Sequence, residues 1–191
     1  ARALRAGTRY RVPQLEALCV RMTVIPDPEI FIGMSALGLT VTGFSGLISV
    51  LGRRAAGNWS DAERFQLEQL LELSLAVTFA SLIPLLVSVA MDQDSALSVA
   101  TALVALFHLV ILVRGLYKTI TLGASNLELP AGLVPLFFVG GVLLIVGAFA
   151  ASFGYIGWAA LLLMSNIVWL LIIAVTHFVG LLMNPVGSND A

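Results

Sequence analysis

The segment S-D-A-E-R-F-Q-L-E-Q-L-L-E-L-S-L-A-V-T-F-A-S-L-I-P-L-L-V-S-V-A, residues 60–90, decides the fold class of this chain. Ser60 followed by Glu63 matches a capping box, in which each side chain binds a backbone amide at the start of a helix. From Leu70 the segment continues with about 20 mostly apolar residues, enough at 1.5 Å per residue to cross a hydrocarbon core of roughly 30 Å. The pattern predicts a membrane-spanning helix whose first two turns lie at the water interface.

The composition extends this prediction to the whole chain. Of 191 residues, 59% are hydrophobic and 11% are charged, whereas soluble domains carry about 25% charged residues. The apolar runs are continuous rather than alternating, which indicates helices and not a β-barrel. We therefore predict an all-α integral membrane protein embedded in a lipid bilayer. The net charge of -1 gives no reason to expect nucleic acid as a partner, and a single cysteine, Cys19, excludes a disulfide or a multi-cysteine metal site within these residues.

Four further apolar stretches predict a bundle of about five transmembrane helices in a single domain over residues 22–184. Residues 185–191 form a short polar tail. The spans are expected at about 30–52, 70–91, 95–113, 133–151 and 156–183.

The basic residues predict the orientation of these spans. After position 21, all five lie near the loops that follow the first and third spans. The positive-inside rule then places those loops and the C-terminus in the cytoplasm and the N-terminus outside. Residues 1–21 hold five more arginines, which would face outward against the rule. We therefore expect this basic segment to be an extension upstream of a natural start near Met22; a juxtamembrane arm that binds anionic headgroups is the alternative.

The first span is rich in small residues that recur every three or four positions along one face. Such a pattern favours close packing against a neighbouring helix, and a weakly polar lining of a pore is the other interpretation. The residues are Ser35, Gly38, Thr42, Ser45, Gly46 and Ser49.

Two histidines lie inside apolar spans, where ionisable groups are costly and often functional. His108 precedes Arg114 by six residues and His177 precedes Met183 by six, so we expect the two imidazoles at a similar depth. One interpretation is a pair of axial ligands for haem b or a chlorin. The others are a hydrogen bond to a neighbouring helix or proton handling, and no bound cofactor is our first expectation.

Glu68 and Glu72 lie one helical turn apart at the start of the second span. Two carboxylates in this arrangement could bind a divalent metal ion. The alternative is ion pairing with nearby arginines, and Arg64 is well placed to pair with Glu68 at i, i+4. A cluster of Glu72 with the two histidines is a third arrangement that would suit a metal or a proton.

The segments G-F-S-G (43–46), G-R-R (52–54) and W-S-D-A-E-R-F-Q-L-E-Q-L-L-E-L-S-L (59–75) resemble a group of small, uncharacterised bacterial multi-pass membrane proteins. The resemblance covers the first two spans from Met22 onward, and residues 1–21 depart from it. It implies a bacterial inner-membrane location and carries no activity over to this chain.

The motifs of common enzymes are not found: the sequence has no H-E-x-x-H, G-x-S-x-G or P-loop. We therefore expect a non-enzymatic membrane protein that acts as a homo-oligomer, with a pore as a special case, or as an accessory subunit of a membrane complex. Its partners would be copies of itself or other membrane subunits. The alternative is a haem- or pigment-binding anchor for electron transfer that uses His108 and His177.

Overall fold

A computed structural model of the chain describes residues 26–56, 61–122 and 133–183. The secondary structure of this part is entirely helical, and each helix contains an apolar stretch of 19 to 27 residues that is long enough to cross a membrane. The predicted architecture of five long apolar helices is confirmed. The helices are α1 (Pro28–Ala56), α2 (Asp61–Ala90), α3 (Gln93–Leu122), α4 (Leu133–Ser152) and α5 (Ala159–Met183).

Some predicted features lie outside the described residues. These are the extension at 1–21, the capping residue Ser60 and the polar tail at 185–191.

Among the helix boundaries that differ from the predicted spans, two affect the positions of polar residues and turns. Arg114 was expected to end the third span, but α3 continues for two more turns to Leu122. The last helix starts at Ala159 rather than at 156, because α4 ends in a turn around Gly154, whose φ is +80°. Glycine adopts this conformation without steric cost, and the amide of Tyr155 closes the turn on the carbonyl of Ala150 at 3.0 Å.

Helix α2 lies at the centre of the bundle and packs against α1, α3 and α5. Helix α4 packs on the other side, against α3 and α5. The core is formed by fully buried apolar side chains of α2, α3 and α5, among them Leu70, Val77, Val104, Leu163, Ile167 and Leu170.

The turn between α2 and α3 consists of Met91 and Asp92. The backbone amide of Ser95 donates to Asp92 Oδ2 at 3.2 Å, so Asp92 caps the N-terminus of α3. The same hydrogen bond favours the ionised form and lowers the pKa of Asp92 below its ordinary value.

The small-residue face of α1 packs against α2. At Gly38, a β-carbon would lie 2.6 Å from Thr78 Oγ1 and 2.7 Å from the Ser74 carbonyl oxygen. The Thr42 hydroxyl donates to Ser74 Oγ at 2.9 Å. The contact is thus a close crossing of two backbones that only glycine allows.

Of the other predicted members of this face, some are in contact with other residues and one faces open space. The Ser35 carbonyl accepts a hydrogen bond from Thr78 at 3.4 Å, and Ser45 is buried. Around Gly46, in contrast, no atom lies within 4 Å of the place of a β-carbon. The side chain of Ser49 lies outside the described part of the chain.

We predict that Gly38→Ala destabilises the protein by about 1–3 kcal/mol, because the added methyl group overlaps Thr78 and the backbone of Ser74. Gly43→Ala is the matched control on the same helix, since no atom lies within 4 Å of its β-carbon position. Alanine at position 43 should stabilise the protein, by less than about 1 kcal/mol. Unfolding of both variants in mixed detergent micelles measures the difference, and equal effects of the two substitutions would contradict the close crossing.

Candidate functional site

Several polar side chains lie inside the bundle, in an otherwise apolar core. Gln69 extends from α2 and His108 from α3, while Asn166 and His177 extend from α5; each is at most 6% exposed. Buried polar groups are costly unless they find hydrogen-bond partners. Their partners therefore indicate which of them have a purely structural role.

His108 is held by Asn166. The distance from His108 Nδ1 to Asn166 Oδ1 is 2.7 Å, and Asn166 Nδ2 donates to the carbonyl oxygens of Leu162 at 2.8 Å and Leu144 at 3.4 Å. Because the amide nitrogen faces two acceptors, the amide oxygen must accept from the imidazole. The neutral His108 ring therefore carries its proton on Nδ1 and a lone pair on Nε2.

A cavity of about 70 Å³ lies beside this pair. It extends from His108, in the middle of α3, to Thr119 and Val134 near the ends of α3 and α4. Its lining is mostly apolar, with polar side chains from Gln69, His108, Thr119 and His177. A space of this volume can hold a few water molecules.

Three buried nitrogen atoms belong to residues that line this cavity. They are Gln69 Nε2, His108 Nε2 and His177 Nδ1, and none of them has a hydrogen-bond partner among the described residues. In native proteins such atoms are normally paired with protein groups or with water. The three atoms are themselves buried, and their lack of partners beside the cavity favours water, or another small hydrogen-bonding species, as its occupant.

The polar groups are staggered along the length of the cavity. His108 is level with Asn166, which precedes His177 by 11 residues, or about 16 Å along the axis of α5. Between them, the side-chain oxygen of Gln69 lies 3.7 Å from the β-carbon position of Gly115. His177 lies near the end of the bundle, in edge contact with Phe65 at 6.4 Å between ring centroids.

The predicted equal depth of the two histidines is therefore wrong. The prediction took Arg114 as the end of the third span, whereas α3 continues to Leu122, so that His108 lies deeper than its distance from Arg114 suggests. Both histidines do line the same cavity.

This stagger affects the proposed haem or chlorin site. Axial ligands must face each other across one metal ion, and His108 and His177 are offset along the bundle. Cofactor-sized ligands also occupy pockets of about 300–1,000 Å³, several times the volume between these residues. The observed packing thus suits species of the size of water and not a macrocycle.

Trp169 adds a fourth buried nitrogen near His108. Its indole ring packs on Gly140, and its Nε1, which has no partner among the described residues, lies 3.7 Å from the β-carbon position of Gly141. His108 Nε2 lies 3.4 Å from the same position. A donor, the indole N–H, and an acceptor, the imidazole lone pair, therefore both lie close to Gly141, which is not among the residues that line the cavity.

Glu68 and Glu72 lie on a different face of α2 and pair with basic side chains. Arg114 Nε contacts Glu72 at 2.9 Å. Lys118 Nζ lies 3.3 Å from Glu72 and 3.4 Å from Glu68, and the predicted pair of Arg64 with Glu68 is present at 3.5 Å. We call these five residues the ion-pair cluster.

Glu72 lines a groove on the surface between α2 and α3, whereas His108 and His177 line the interior cavity. The three residues proposed as one cluster are therefore divided between two sites. Across residues 26–56, 61–122 and 133–183, no three His, Cys, Asp or Glu side chains come together as a set of metal ligands.

Sequence reasoning did not single out Gln69 as part of this site. The available signal was a second amide side chain three residues after Gln66, just before the apolar part of α2 begins at Leu70. Asn166 and Trp169 are likewise polar groups in an apolar span, but their roles depend on which helix they face.

No protein-family model, curated protein or solved structure matches this chain. Functional conclusions therefore rest on the geometry of the cavity and of the ion-pair cluster.

We predict that His108 and Asn166 are energetically coupled. Asn166→Leu costs about 1–3 kcal/mol, because it leaves a buried imidazole N–H without its acceptor. In the double variant with His108→Leu that donor is gone as well, so the two effects are not additive, with a coupling of about 0.5–2 kcal/mol. The double-mutant cycle is completed by the free energies of unfolding of the unmodified chain, the two single variants and the double variant, all measured in detergent micelles.

Thr176→Val serves as the control for this cycle. Thr176 bonds only to the Ile172 carbonyl of its own helix and lies 10 residues from Asn166. Its combination with His108→Leu should be additive. If the effects were additive in both cycles, the hydrogen bond between His108 and Asn166 would contribute nothing to the free energy of unfolding.

Proposed function

We propose that this chain is a non-enzymatic, multi-pass protein of the bacterial cytoplasmic membrane that admits water and protons from the cytoplasmic side to His108. The observation that carries this proposal is the set of three buried, unpartnered nitrogen atoms along one cavity. We call this route the half-channel.

The outer surface of the bundle supports membrane residence. Large apolar side chains project outward from the helices, among them Leu39, Leu86, Val110, Leu143 and Val146. A surface of this kind would aggregate in water but suits lipid. The resemblance of the first two spans to bacterial multi-pass proteins supports the bacterial inner membrane.

The positions of the basic residues support the orientation. Arg64, at the start of α2, and Arg114 and Lys118, near the end of α3, lie at one end of the bundle and share the ion-pair cluster. Arg53 and Arg54, in the last turn of α1, belong to the same end. By the positive-inside rule this end faces the cytoplasm, so the N-terminus is outside and the C-terminus inside.

In this orientation the half-channel runs from the cytoplasmic ends of α3 and α4 to the middle of the bilayer. His108 lies 13 residues from each end of the apolar stretch Ser95–Thr121. Beyond His108, the buried hydroxyls of Ser81 and Thr101 each bond to a carbonyl of their own helix at 2.7 Å. Polar groups ready to bind water thus lie on the cytoplasmic side of His108.

The lone pair on His108 Nε2 is the proton acceptor of this route. His108 and His177 are the titratable residues among those that line the cavity. Histidine side chains commonly serve as proton carriers in proteins. Asn166 holds the ring through Nδ1, which leaves Nε2 without a hydrogen bond among the described residues.

The half-channel opens only to the cytoplasmic side of the membrane. A proton that reaches His108 therefore has a further effect only if it is passed to another group. This supports the role expected from the sequence, in which the chain acts as a homo-oligomer or as an accessory subunit of a membrane complex.

The orientation is tested by reporter fusions. Green fluorescent protein fused after Met183 should fluoresce, because it folds in the cytoplasm. Alkaline phosphatase inserted between 153 and 158 should be active, because it requires the outside compartment. The opposite pattern at both sites would invert the topology and place the half-channel on the outer side.

The half-channel is tested with silver ions, which are close to water in size and react with thiols. In a chain with Cys19→Ser, we expect Gly115→Cys to react with silver applied to inside-out vesicles, because Gly115 lines the cavity beside Gln69. Protection of the thiol from later maleimide labelling in SDS measures the reaction.

Leu116→Cys is the matched control, one residue along α3 and 43% exposed on the outer surface of the bundle. In the membrane this side chain faces lipid, so its thiol should react at least tenfold more slowly. Equal rates at the two positions would rule out a water-filled route along the cavity.

A further inference from the structure

An open groove of about 550 Å³ lies between α2 and α3 on the surface of the bundle, and the half-channel does not use it. One end of the groove is lined by Glu68, Glu72, Arg114 and Lys118, the four members of the ion-pair cluster other than Arg64. Toward the middle of the helices its walls are apolar and include Leu75, Phe79, Phe107 and Val110.

The length of the groove matches one leaflet of a bilayer. Glu68 and Phe79 are 11 residues apart on α2, and Phe107 and Lys118 are 11 residues apart on α3, about 16 Å in each case. Half of a hydrocarbon core of roughly 30 Å is about 15 Å. A groove that is charged at the interface and apolar to the bilayer centre has the shape of a site for a lipid acyl chain.

The charges at the interfacial end are balanced, with two carboxylates and two cations. The more enclosed pair, Glu72 and Lys118, is 18% and 21% exposed and is joined at 3.3 Å. The more accessible side chains are one of each sign, since Arg114 is 62% exposed and Glu68 is 52% exposed. A headgroup that fits here carries both a phosphate and a cationic hydrogen-bond donor.

We propose that this groove binds phosphatidylethanolamine of the cytoplasmic leaflet. The Arg114 guanidinium donates to the lipid phosphate, a pairing that suits its planar array of N–H groups. The lipid ammonium group donates to Glu68, whose carboxylate has about four acceptor sites, and one acyl chain lies between Phe79 and Val110. The site rests on the proposed membrane residence and orientation, but not on the half-channel.

Two other common phospholipid headgroups lack a cationic hydrogen-bond donor for Glu68. Phosphatidylcholine has three methyl groups on its nitrogen and cannot donate to Glu68. Phosphatidylglycerol has no cation, and its net negative charge meets two carboxylates at this end of the groove. The charge pattern thus distinguishes a primary ammonium headgroup from both.

Native mass spectrometry of the full chain in detergent, titrated with each of the three lipids, tests the site. We expect a 1:1 complex with phosphatidylethanolamine that is at least fivefold tighter than the complexes with the other two lipids. Arg114→Gln should weaken binding of all three lipids by about tenfold, because each has a phosphate that loses a charge-assisted hydrogen bond.

Glu68→Gln should weaken phosphatidylethanolamine binding by about tenfold and strengthen phosphatidylglycerol binding, because a negative charge has been removed. These opposite changes within one variant cannot arise from a loss of folding. Arg64→Gln is the control, since Arg64 pairs with Glu68 but does not line the groove; it should change each affinity by less than threefold. Val110→Trp fills the apolar part and should weaken binding of all three lipids alike.

Equal wild-type affinities for the three lipids, or unchanged preference in Glu68→Gln, would overturn the assignment of the headgroup. No 1:1 complex with any of the lipids would overturn the groove as a lipid site. Silver accessibility of Gly115→Cys is independent of these outcomes, so a failure of the half-channel is distinguishable from a failure of the lipid site. A chain recovered from cells in the soluble fraction would refute membrane residence itself.

Discussion

A hydrogen bond of 2.7 Å between His108 and Asn166 joins α3 to α5 where both are surrounded by apolar side chains. The other features of the interior depend on it. By accepting from Nδ1, Asn166 assigns the imidazole proton to that atom and leaves a basic lone pair on Nε2. Without this partner the ring could rotate or exchange tautomers, and the cavity would have no defined acceptor at its inner end.

Helix α2 separates two chemically different environments. Gln69 and Leu73 contribute to the interior cavity, while Glu68 and Glu72, their immediate neighbours in sequence, line the groove on the surface. Successive residues of a helix point about 100° apart at 3.6 residues per turn, so one segment can provide a neutral amide to the interior and carboxylates to the interface. Ion pairs with α3 keep those carboxylates away from the histidines.

Much of the architecture could be predicted from sequence because it depends on local properties. Five long apolar helices follow from hydropathy and length, and the pair of Arg64 with Glu68 follows from their spacing on one helix. The contacts of Asn166 could not be predicted in this way, since they depend on how α3, α4 and α5 are rotated about their axes. The depth of His108 was misjudged because the prediction took Arg114 as the end of the third span, whereas arginine is a good helix former and α3 continues to Leu122.

Because only Met91 and Asp92 separate α2 from α3, the two helices form a tight hairpin. In the proposed membrane orientation, we expect such a pair to enter the bilayer together during synthesis, with the turn leading and both charged ends trailing. Glu72 can then pair with Arg114 and Lys118 within the same hairpin before α4 and α5 have been made. Neutralisation within this early unit lowers the cost of placing charges next to lipid, so the hairpin can be stable on its own before α4 and α5 arrive to close the interior around His108.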